Sequence, residues 1–594
     1  MLPYSMLFQL GIASLLLPHA NGMQSGSSNT MNNESKKKNA LVIAPNFLKV
    51  HFKMNSAFAN TLTEKFFVHF LILNTNNEEI GDNFDYGIDL ENFEEGTGNT
   101  YQVVNFPDVY PEKLNEGVKN LENKFIKRGY EQSSQILENE ALTVFKDLFE
   151  NNRATAHYLK EAKFDLGVFD TWDTGALFIL HSAGIKNVFG INNIQLNAYQ
   201  FKYAGKEFPK NIPEIYSAKT GDNELSPTKE RKREIAEQYE KSFQIFSTVH
   251  NDLNTWYARI DKSGETVQNL YSKIKGIFLN GHPFFDFPLG ENKPENVFYV
   301  GGIHLKEYEH EQARFLKTML GESVVENKQV IISIEYCKQI AQPETIIILE
   351  KLVEAFENVS NSEEINLIYD CKAEGEDLKN LKQVLNLDNH VIKKISEMQE
   401  ELAKGNTLLL ITNGSGYQVI EAFYENVPIL TLPYIVDQFY VSEALKISHE
   451  IEIENSAGKG AIIGGSPKHV DVRGKSPHSP RNKSPPKTSL YGGHMNPGKH
   501  GANVHTGKQK IKIDAPTLSF NLMLNENIET IEKVLKEALF DASYKANVNK
   551  VHQYLRKTIN KDNHTNPKNI FLEKINEALH KSEGGSGNDL KGKL

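Results

Sequence analysis

The stretch Leu408 to Leu445, LLLITNGSGYQVIEAFYENVPILTLPYIVDQFYVSEAL, constrains the fold of this chain more than any other part of it. Leu408 to Ile411 read as a buried strand, Asn413 to Gly416 as a glycine-bearing loop, and the residues that follow as a helix carrying Glu421. A second apolar strand, Ile429 to Leu432, leads through a proline-led turn to Asp437 and Gln438. A strand that runs through a glycine loop into a helix aims backbone N–H groups and the positive end of the helix dipole at one spot. That spot suits an anion, most naturally a phosphate. Glu421, Asp437 and Gln438 stand where they can accept hydrogen bonds from sugar hydroxyls beside it, and phosphate plus polyol describes a nucleotide sugar.

The segment resembles the signature of the UDP-glycosyltransferases of the glucuronosyltransferase type. Members of that family show an Ile-Thr-His-Gly-Gly loop, a helix Glu, a Val-Pro step and a closing Pro-x-x-x-Asp-Gln. Thr412, Gly414, Glu421, Val427, Pro428, Pro433, Asp437 and Gln438 stand in matching places at ungapped spacing, and the resemblance extends over most of the chain. It implies an α/β chain of GT-B architecture, two Rossmann-like domains whose parallel sheets face each other across a cleft. It also implies a UDP-sugar as co-substrate with no cofactor or metal, and donor contacts from Gln399, Asn413, Gly414, Ser415, Gly416, Glu421, Asp437 and Gln438.

The chain departs from the family in the lining that would meet the donor. Asn413 replaces the family's His, Ser415 its second Gly, and Tyr417 and Gln418 the Asn and Ser that follow. Where the family has Trp-x-Pro-Gln, with the indole stacked on uracil, this chain has Ser396-Glu397-Met398-Gln399. A lost aromatic stack is worth roughly 1 to 3 kcal/mol. The family's Ser-x-Gly-Ser loop becomes Ser333-Ile334-Glu335-Tyr336, which brings a carboxylate to a place of anion approach. These changes predict weak UDP-sugar affinity, a shifted donor, or none, and they leave the fold untouched.

Apolar runs alternate with helical patterns along the rest of the chain. Ala40 to Ala44, Phe67 to Leu73, Tyr101 to Val104, Phe164 to Phe169, Asn187 to Gly190 and Phe298 to Val300 read as strands. Lys53 to Glu64, Gln132 to Glu150 and Glu230 to Thr248 read as helices. The alternation restarts with strands Val330 to Ile334 and Ile365 to Tyr369 before the signature, separated by helical patterns at Glu344 to Glu357 and Leu378 to Leu385, with Val419 to Tyr424 inside it. Alternation of this kind implies parallel sheets covered on both faces, and a chain of 594 residues has material for two cores. The join lies near Pro283 to Gly302, in a Pro- and Gly-rich stretch whose His-Pro step and Val-Gly-Gly-Ile ending are similar to the family's linker.

The resulting division is a signal peptide (1–22), a polar spacer (23–38), an acceptor-binding domain (39–303), and a nucleotide-sugar-binding domain (304–455 and 508–580). The second domain carries a disordered insertion (456–507) rich in Ser, Pro, Gly, His and basic residues, and the chain closes in a flexible tail (581–594). Met6 to Leu17 is an apolar run of signal-peptide length, which predicts entry into the secretory pathway and a lumenal or secreted protein. An uncleaved anchor or a mispredicted start is the alternative. The ending, LEKINEALHKSEGGSGNDLKGKL, has no apolar run of membrane-spanning length, so no transmembrane anchor is expected. Sequons stand at Asn33, Asn358, Asn413, Asn482 and Asn563; burial is expected to spare Asn413.

With 66 basic against 76 acidic residues, nucleic acid is excluded as the main partner. Cys337 and Cys371 are too few for a disulfide framework or a four-thiolate zinc site, and a single disulfide between them is left open.

Two further residues carry the expected chemistry. His51, in APNFLKVHFKMN, lies between the first strand and the first helix, at a strand's carboxyl end. By resemblance it matches the family's catalytic base. Asp170 ends the run Phe164 to Asp170, similar to the family's Phe-Asp-x-x-x-x-Asp/Glu, whose last acid orients that histidine. A carboxylate bonded to one ring nitrogen stabilises the imidazolium and makes the other nitrogen a better base. Read alone, His51 is an ordinary capping residue, Asp170 a helix N-cap, Glu421 a solvated helix acid, and Asp437 with Gln438 a turn.

The function that follows is transfer of a hexosyl group, glucose or glucuronate, from a UDP-sugar to a hydroxyl of a small lipophilic acceptor, with inversion. The alternative is a degenerate family member that binds a small ligand or a partner without transferring sugar. A third reading is an unrelated GT-B transferase with a different nucleotide donor.

Overall fold

The computed structural model describes residues 37–46, 49–74, 91–93, 98–105, 153–219, 221–223, 226–306, 328–333, 343–360, 365–370, 391–393, 395, 397–433, 437–454, 508–513, 518–519, 527–559 and 564–584. The expected signal peptide, the spacer up to residue 36, the insertion, Cys337, Cys371, Glu335, Ser396, and the helical patterns at 132–150 and 378–385 lie outside these, and Lys38, the last residue assigned to the spacer, opens the first strand.

The first sheet is built from β1 (Lys38–Pro45), β2 (Phe66–Asn74), β3 (Thr100–Asn105), β4 (Leu166–Asp170), β5 (Val188–Asn192), β6 (Gly276–Leu279) and β7 (Val297–Tyr299). Its order is β3-β2-β1-β4-β5-β6-β7, with every pairing parallel. In β1 the run Ala40 to Pro45 is buried without interruption, as a strand covered on both faces requires. Its side chains still alternate: Leu41 and Ile43 enter one apolar layer, and Ala40, Val42 and Ala44 the other. Helices α1 (Lys49–Thr63), α2 (Arg153–Glu161), α3 (Ala176–Ser182), α4 (Ala198–Tyr203), α5 (Lys229–Ile260) and α6 (Val267–Ser272) accompany this sheet.

The second sheet contains β8 (Lys328–Ser333), β9 (Ile365–Asp370), β10 (Val391–Lys393), β11 (Thr407–Thr412) and β12 (Ile429–Thr431). The strands β13 (His449–Glu454) and β14 (Lys508–Ile513) pair antiparallel with each other, outside it. The short β15 (Leu518–Ser519) closes its edge, giving the order β10-β9-β8-β11-β12-β15. Helices α7 (Pro343–Ser360), α8 (Met398–Ala403), α9 (Gly416–Tyr424), α10 (Asp437–Ala444), α11 (Ile528–Phe540) and α12 (Ala542–Thr558) follow in the chain. One apolar cluster, from Val330 and Leu410 to Leu535 and Val551, fills the second half.

Two elements cross between the halves. Tyr440, Ala444 and Ile447, in and just after α10, join a cluster of the first sheet. The last helix, α13 (Pro567–Gly584), lays Phe571, Leu572, Ile575 and Leu579 against the other face of that same sheet. The Val-Gly-Gly-Ile turn that ends the join explains its glycines by contact: a Cβ on Gly301 would stand 2.5 Å from the carbonyl oxygen of Gly281.

Both sheets are doubly wound, so each has a point where the strand order reverses, and open sheets bind ligands outside the carboxyl ends of their strands at that point. In the first sheet it lies between β1 and β4, and in the second between β8 and β11. His51 follows β1, Asp170 ends β4, and Asn413 to Gly416 follow β11. The candidate site residues therefore sit at the places that topology reserves for ligands.

Candidate active site

His51 lies in the first turn of α1, one step later than the loop that the sequence predicts. Its Nδ1 is 3.0 Å from Asp170 Oδ2, and both residues are buried, at 7% and 1% exposure. Asn55, one turn further along α1 and on the same face, donates to the same carboxylate oxygen at 3.0 Å. Asn193, after β5, donates to it at 3.2 Å and to Asn55 Oδ1 at 2.9 Å. The backbone N–H of Trp172 reaches Asp170 Oδ1 at 3.0 Å.

Burial alone would raise the Asp170 carboxyl. The charge of His51 and the hydrogen bonds from His51, Asn55 and the Trp172 amide outweigh it and hold the group below its ordinary value. Asp170 is thus a carboxylate with no proton to give, so the His51–Asp170 bond puts the hydrogen on Nδ1. The Nε2 lone pair is left to accept a proton.

The donor-side residues gather at the end of β11. Gly414 has φ +89°, a left-handed conformation that favours glycine, and a Cβ there would come within 3.3 Å of Ser442 Oγ. Ser415 is the N-cap residue of α9 but makes no side-chain capping bond, and a Cβ on Gly416 would meet nothing within 4 Å. Helix geometry leaves the first backbone N–H groups of α9 without intrahelical partners. Asn413 is fully buried, as expected of a sequon the glycan leaves alone, and its Nδ2 has no hydrogen-bond partner among the described residues. Beneath the loop a polar chain links the two strands at the switch point. Ser333 Oγ donates to Asp370 Oδ2 and accepts from Gln418 Nε2, both at 2.9 Å, and Gln418 Oε1 accepts from Thr412 Oγ1.

Glu421, on α9, is 1% exposed, and its Oε1 lies 3.6 Å from Nε2 of the buried His304. Burial, helped by the charges of Lys53 and Lys568, pushes His304 down to about 3, so it is neutral near pH 7. Asp437 and Gln438 open α10 rather than standing in a turn. Gln399 is engaged internally: both hydrogens of its amide are taken, by the Lys306 carbonyl at 2.8 Å and Glu425 Oε1 at 3.0 Å, and its oxygen accepts from the Lys306 N–H at 3.0 Å.

The halves meet across the cleft at identifiable points. Burial raises the Asp437 carboxyl to about 6, against the pull of the charge on His51. Residues of opposite halves therefore share one electrostatic environment. Lys53 of α1 reaches Glu397, before α8, with Nζ 3.4 Å from Oε2, and stands 5.6 Å from the centroid of the Tyr417 ring in the first turn of α9.

Among solved structures, Medicago truncatula UGT71G1 complexed with UDP-glucose superposes with a TM-score of 0.53 at 12% identity, over 92% of this chain and 100% of that one. A UDP-glucosyltransferase from Polygonum tinctorium capable of glucosylating indoxyl gives 0.51 at 11% identity, over 91% and 98%. Apo UGT2 of Phytolacca americana gives 0.50 at 10%, over 91% and 99%. The chain has the GT-B fold. That is the architecture implied by the sequence resemblance. No protein-family model matches the chain, and no curated protein matches it significantly.

The structure brings His51 and Asp170 into contact; Asn413 to Gly416 lie at the switch point of the second sheet, Glu421 on α9, and Asp437 with Gln438 at the start of α10, where the charge of His51 acts on Asp437. Gln399 stands apart by its internal bonds. Asn55, Asn193, Lys53, His304 and Trp172 escaped the sequence reading of the site. The Trp172 ring meets His51 edge-on at 5.5 Å and Tyr216 at 6.2 Å, giving the first half an aromatic wall beside the imidazole. Among the described residues no group of three or more His, Cys, Asp or Glu is arranged to hold a metal ion.

Behind that wall Glu214 is buried, accepting from the Tyr216 N–H and Ser242 Oγ, each at 3.0 Å. Burial, only partly offset by those bonds, pushes its carboxyl up to about 8. A raised acid contributes stability that is complete below its unfolded value and is lost as pH rises through its folded value. Glu214→Gln mimics the neutral form. The variant should melt like the parent at about pH 5 and lose less of its melting temperature by about pH 9. Parallel pH profiles for the two proteins would contradict the assignment.

Proposed function

We propose that the chain is a divergent UDP-glycosyltransferase that moves a hexosyl group, glucose or glucuronate, from a UDP-sugar to a hydroxyl of a small lipophilic acceptor with inversion. The observation that carries this reading is the His51–Asp170 pair at the switch point of one sheet, with the charge of His51 acting on Asp437 of the other half. His51 Nε2 takes the proton of the acceptor hydroxyl as its oxygen bonds to the anomeric carbon. The anomeric C–O bond breaks on the opposite side, and its electron pair leaves with the β-phosphate of UDP. In this reading the N–H groups at the start of α9 meet the diphosphate, Glu421 the ribose, and Asp437 with Gln438 the sugar hydroxyls. The aromatic wall of Trp172 and Tyr216 supports an apolar acceptor. No metal takes part in the step.

The apolar run Met6 to Leu17 supports a lumenal or secreted location, and no helix among the described residues is long and apolar enough to cross a membrane. A second reading, ligand binding without transfer, is favoured by the internal engagement of Gln399.

Titration calorimetry with UDP, UDP-glucose and UDP-glucuronate, followed by mass detection of a glycosylated phenol, separates the two readings. Transfer predicts binding near or below about 100 μM that survives a chelator, with product formed. Binding of a nucleotide without product under any donor supports the second reading. No heat with any nucleotide overturns the first.

A further inference from the structure

The following inference rests on the nucleotide-sugar reading and adds to it a residue that the donor-side signature does not contain. Among the described residues of the donor signature there is no positive charge. Thr412, Asn413, Ser415 and Gln418 are neutral, Glu397, Glu421 and Asp437 are acids, and His304 is held neutral by burial. A diphosphate meeting only backbone N–H groups among these carboxylates lacks a counter-charge, and its need grows as the bond to the sugar breaks.

Lys53 is placed to supply that charge. It leaves α1 two residues after His51 and crosses to the donor half, where its Nζ lies between Glu397 and the ring of Tyr417. Tyr417 is the second residue of α9, so the ammonium stands beside the first turn of the helix that follows the glycine loop. Two buried groups in the same lining also call for a polar ligand. His304, 4% exposed, has no hydrogen bond at either ring nitrogen among the described residues, and Asn413, fully buried, has none at Nδ2. Leaving such groups unmet is costly, and a polar guest relieves the cost. Lys53 and Glu397 are each about one-fifth exposed, and an ion pair of that kind is held weakly enough to exchange for a more highly charged phosphate.

We propose that Lys53, reaching across the cleft from the half that carries the base, binds the diphosphate of the nucleotide donor and neutralises charge on the departing UDP. Glu397 holds the ammonium and competes with the phosphates for it. Because Lys53 and His51 ride on the same turn of α1, closure of the cleft over the donor delivers base and counter-charge together.

The test compares UDP with uridine, which lacks the phosphates, by calorimetry on the full chain and its variants. Lys53→Met should weaken UDP at least about tenfold and leave uridine unchanged, because the contact that the ligand loses is the charge-assisted one to its phosphates. Lys53→Arg should retain most of the UDP affinity, and Glu397→Gln should strengthen it. The wild-type affinity for UDP should fall with added salt more steeply than that of Lys53→Met. A thermal melt that matches the parent establishes that each variant is folded. Equal losses for UDP and uridine, or a Lys53→Met protein that binds UDP like the parent, overturn the Lys53 assignment alone. A wild-type protein that binds neither ligand overturns the nucleotide-sugar reading and this assignment with it.

Discussion

His51→Ala is expected to lower turnover by about 100- to 10,000-fold, the range a positioned general base contributes, while UDP binding stays as in the parent. The separation follows from the architecture. The imidazole belongs to the first half, and apart from Lys53 the proposed donor contacts belong to the other. Asp170→Asn should lower turnover by at least about tenfold through a different physical route. The Asp170 carboxylate accepts from His51, Asn55, Asn193 and the Trp172 amide. An amide in its place has one oxygen for these donors and an NH2 group that must confront one of them, and it offers no charge to the imidazolium as the proton arrives. Turnover in Asp170→Asn should therefore fall without a matching rise in KM, and the acid limb of its pH–rate profile should move. The measurements are initial rates across pH with calorimetry of UDP on the same preparations. A His51→Ala protein whose turnover stays within a few-fold of the parent would remove the base from the scheme, whatever its affinity for UDP.

The sequence made some of this visible because of what a covered parallel sheet requires. β1, β2, β8 and β11 are buried on both faces, so each carries an apolar run, interrupted in β2 by His69. The strand β6 has four residues and β10 three; runs so short carry no period and pass for loop. The pair β13 and β14 lies outside the parallel sheet, in an antiparallel ladder whose register sets Glu452 opposite Lys510. The reach of the last helix was hidden for another reason. Phe571, Leu572, Ile575 and Leu579 mark an apolar helix face plainly, yet nothing local says which sheet that face covers.

The candidate site divides along the same line. His51 and Asp170 were legible because each ends a strand, and the turn after a switch-point strand is where ligands bind. Lys53 was not. On a helix, one lysine between apolar neighbours reads as a solvated side chain, and its partner Glu397 lies 344 residues away. Asn55 and Asn193 are ordinary polar residues until the fold turns both toward one carboxylate. His304 follows the two glycines of the join, where the sequence signals only a turn; its contact with Glu421 arises once the linker passes under α9. The donor loop shows the reverse case. The sequence located Gln399 by motif, but the fold engages its amide with Lys306 and Glu425.

The second large effect concerns how the halves are fastened. Phe571→Ala should destabilise the chain by about 3 to 5 kcal/mol, the usual cost of emptying a buried phenylalanine site. Phe571 is fully buried, with its ring edge-on to Phe278 of β6 at 4.6 Å and to Phe58 of α1 at 5.1 Å. Both neighbours belong to the first half, whereas Phe571 lies in a helix that follows the whole of the second sheet in the chain. Truncation removes the common member of two aromatic contacts, and rigid strand and helix backbones on either side cannot collapse to refill the space. Phe540→Ala is the matching control: that ring, at the end of α11, is 46% exposed and should cost within about 0.5 kcal/mol. Urea unfolding followed by intrinsic fluorescence reads both. A midpoint for Phe571→Ala that coincides with the parent would mean that α13 does not hold the first sheet. A drop confined to this variant ties α1, the helix that carries His51 and Lys53, to the far end of the chain.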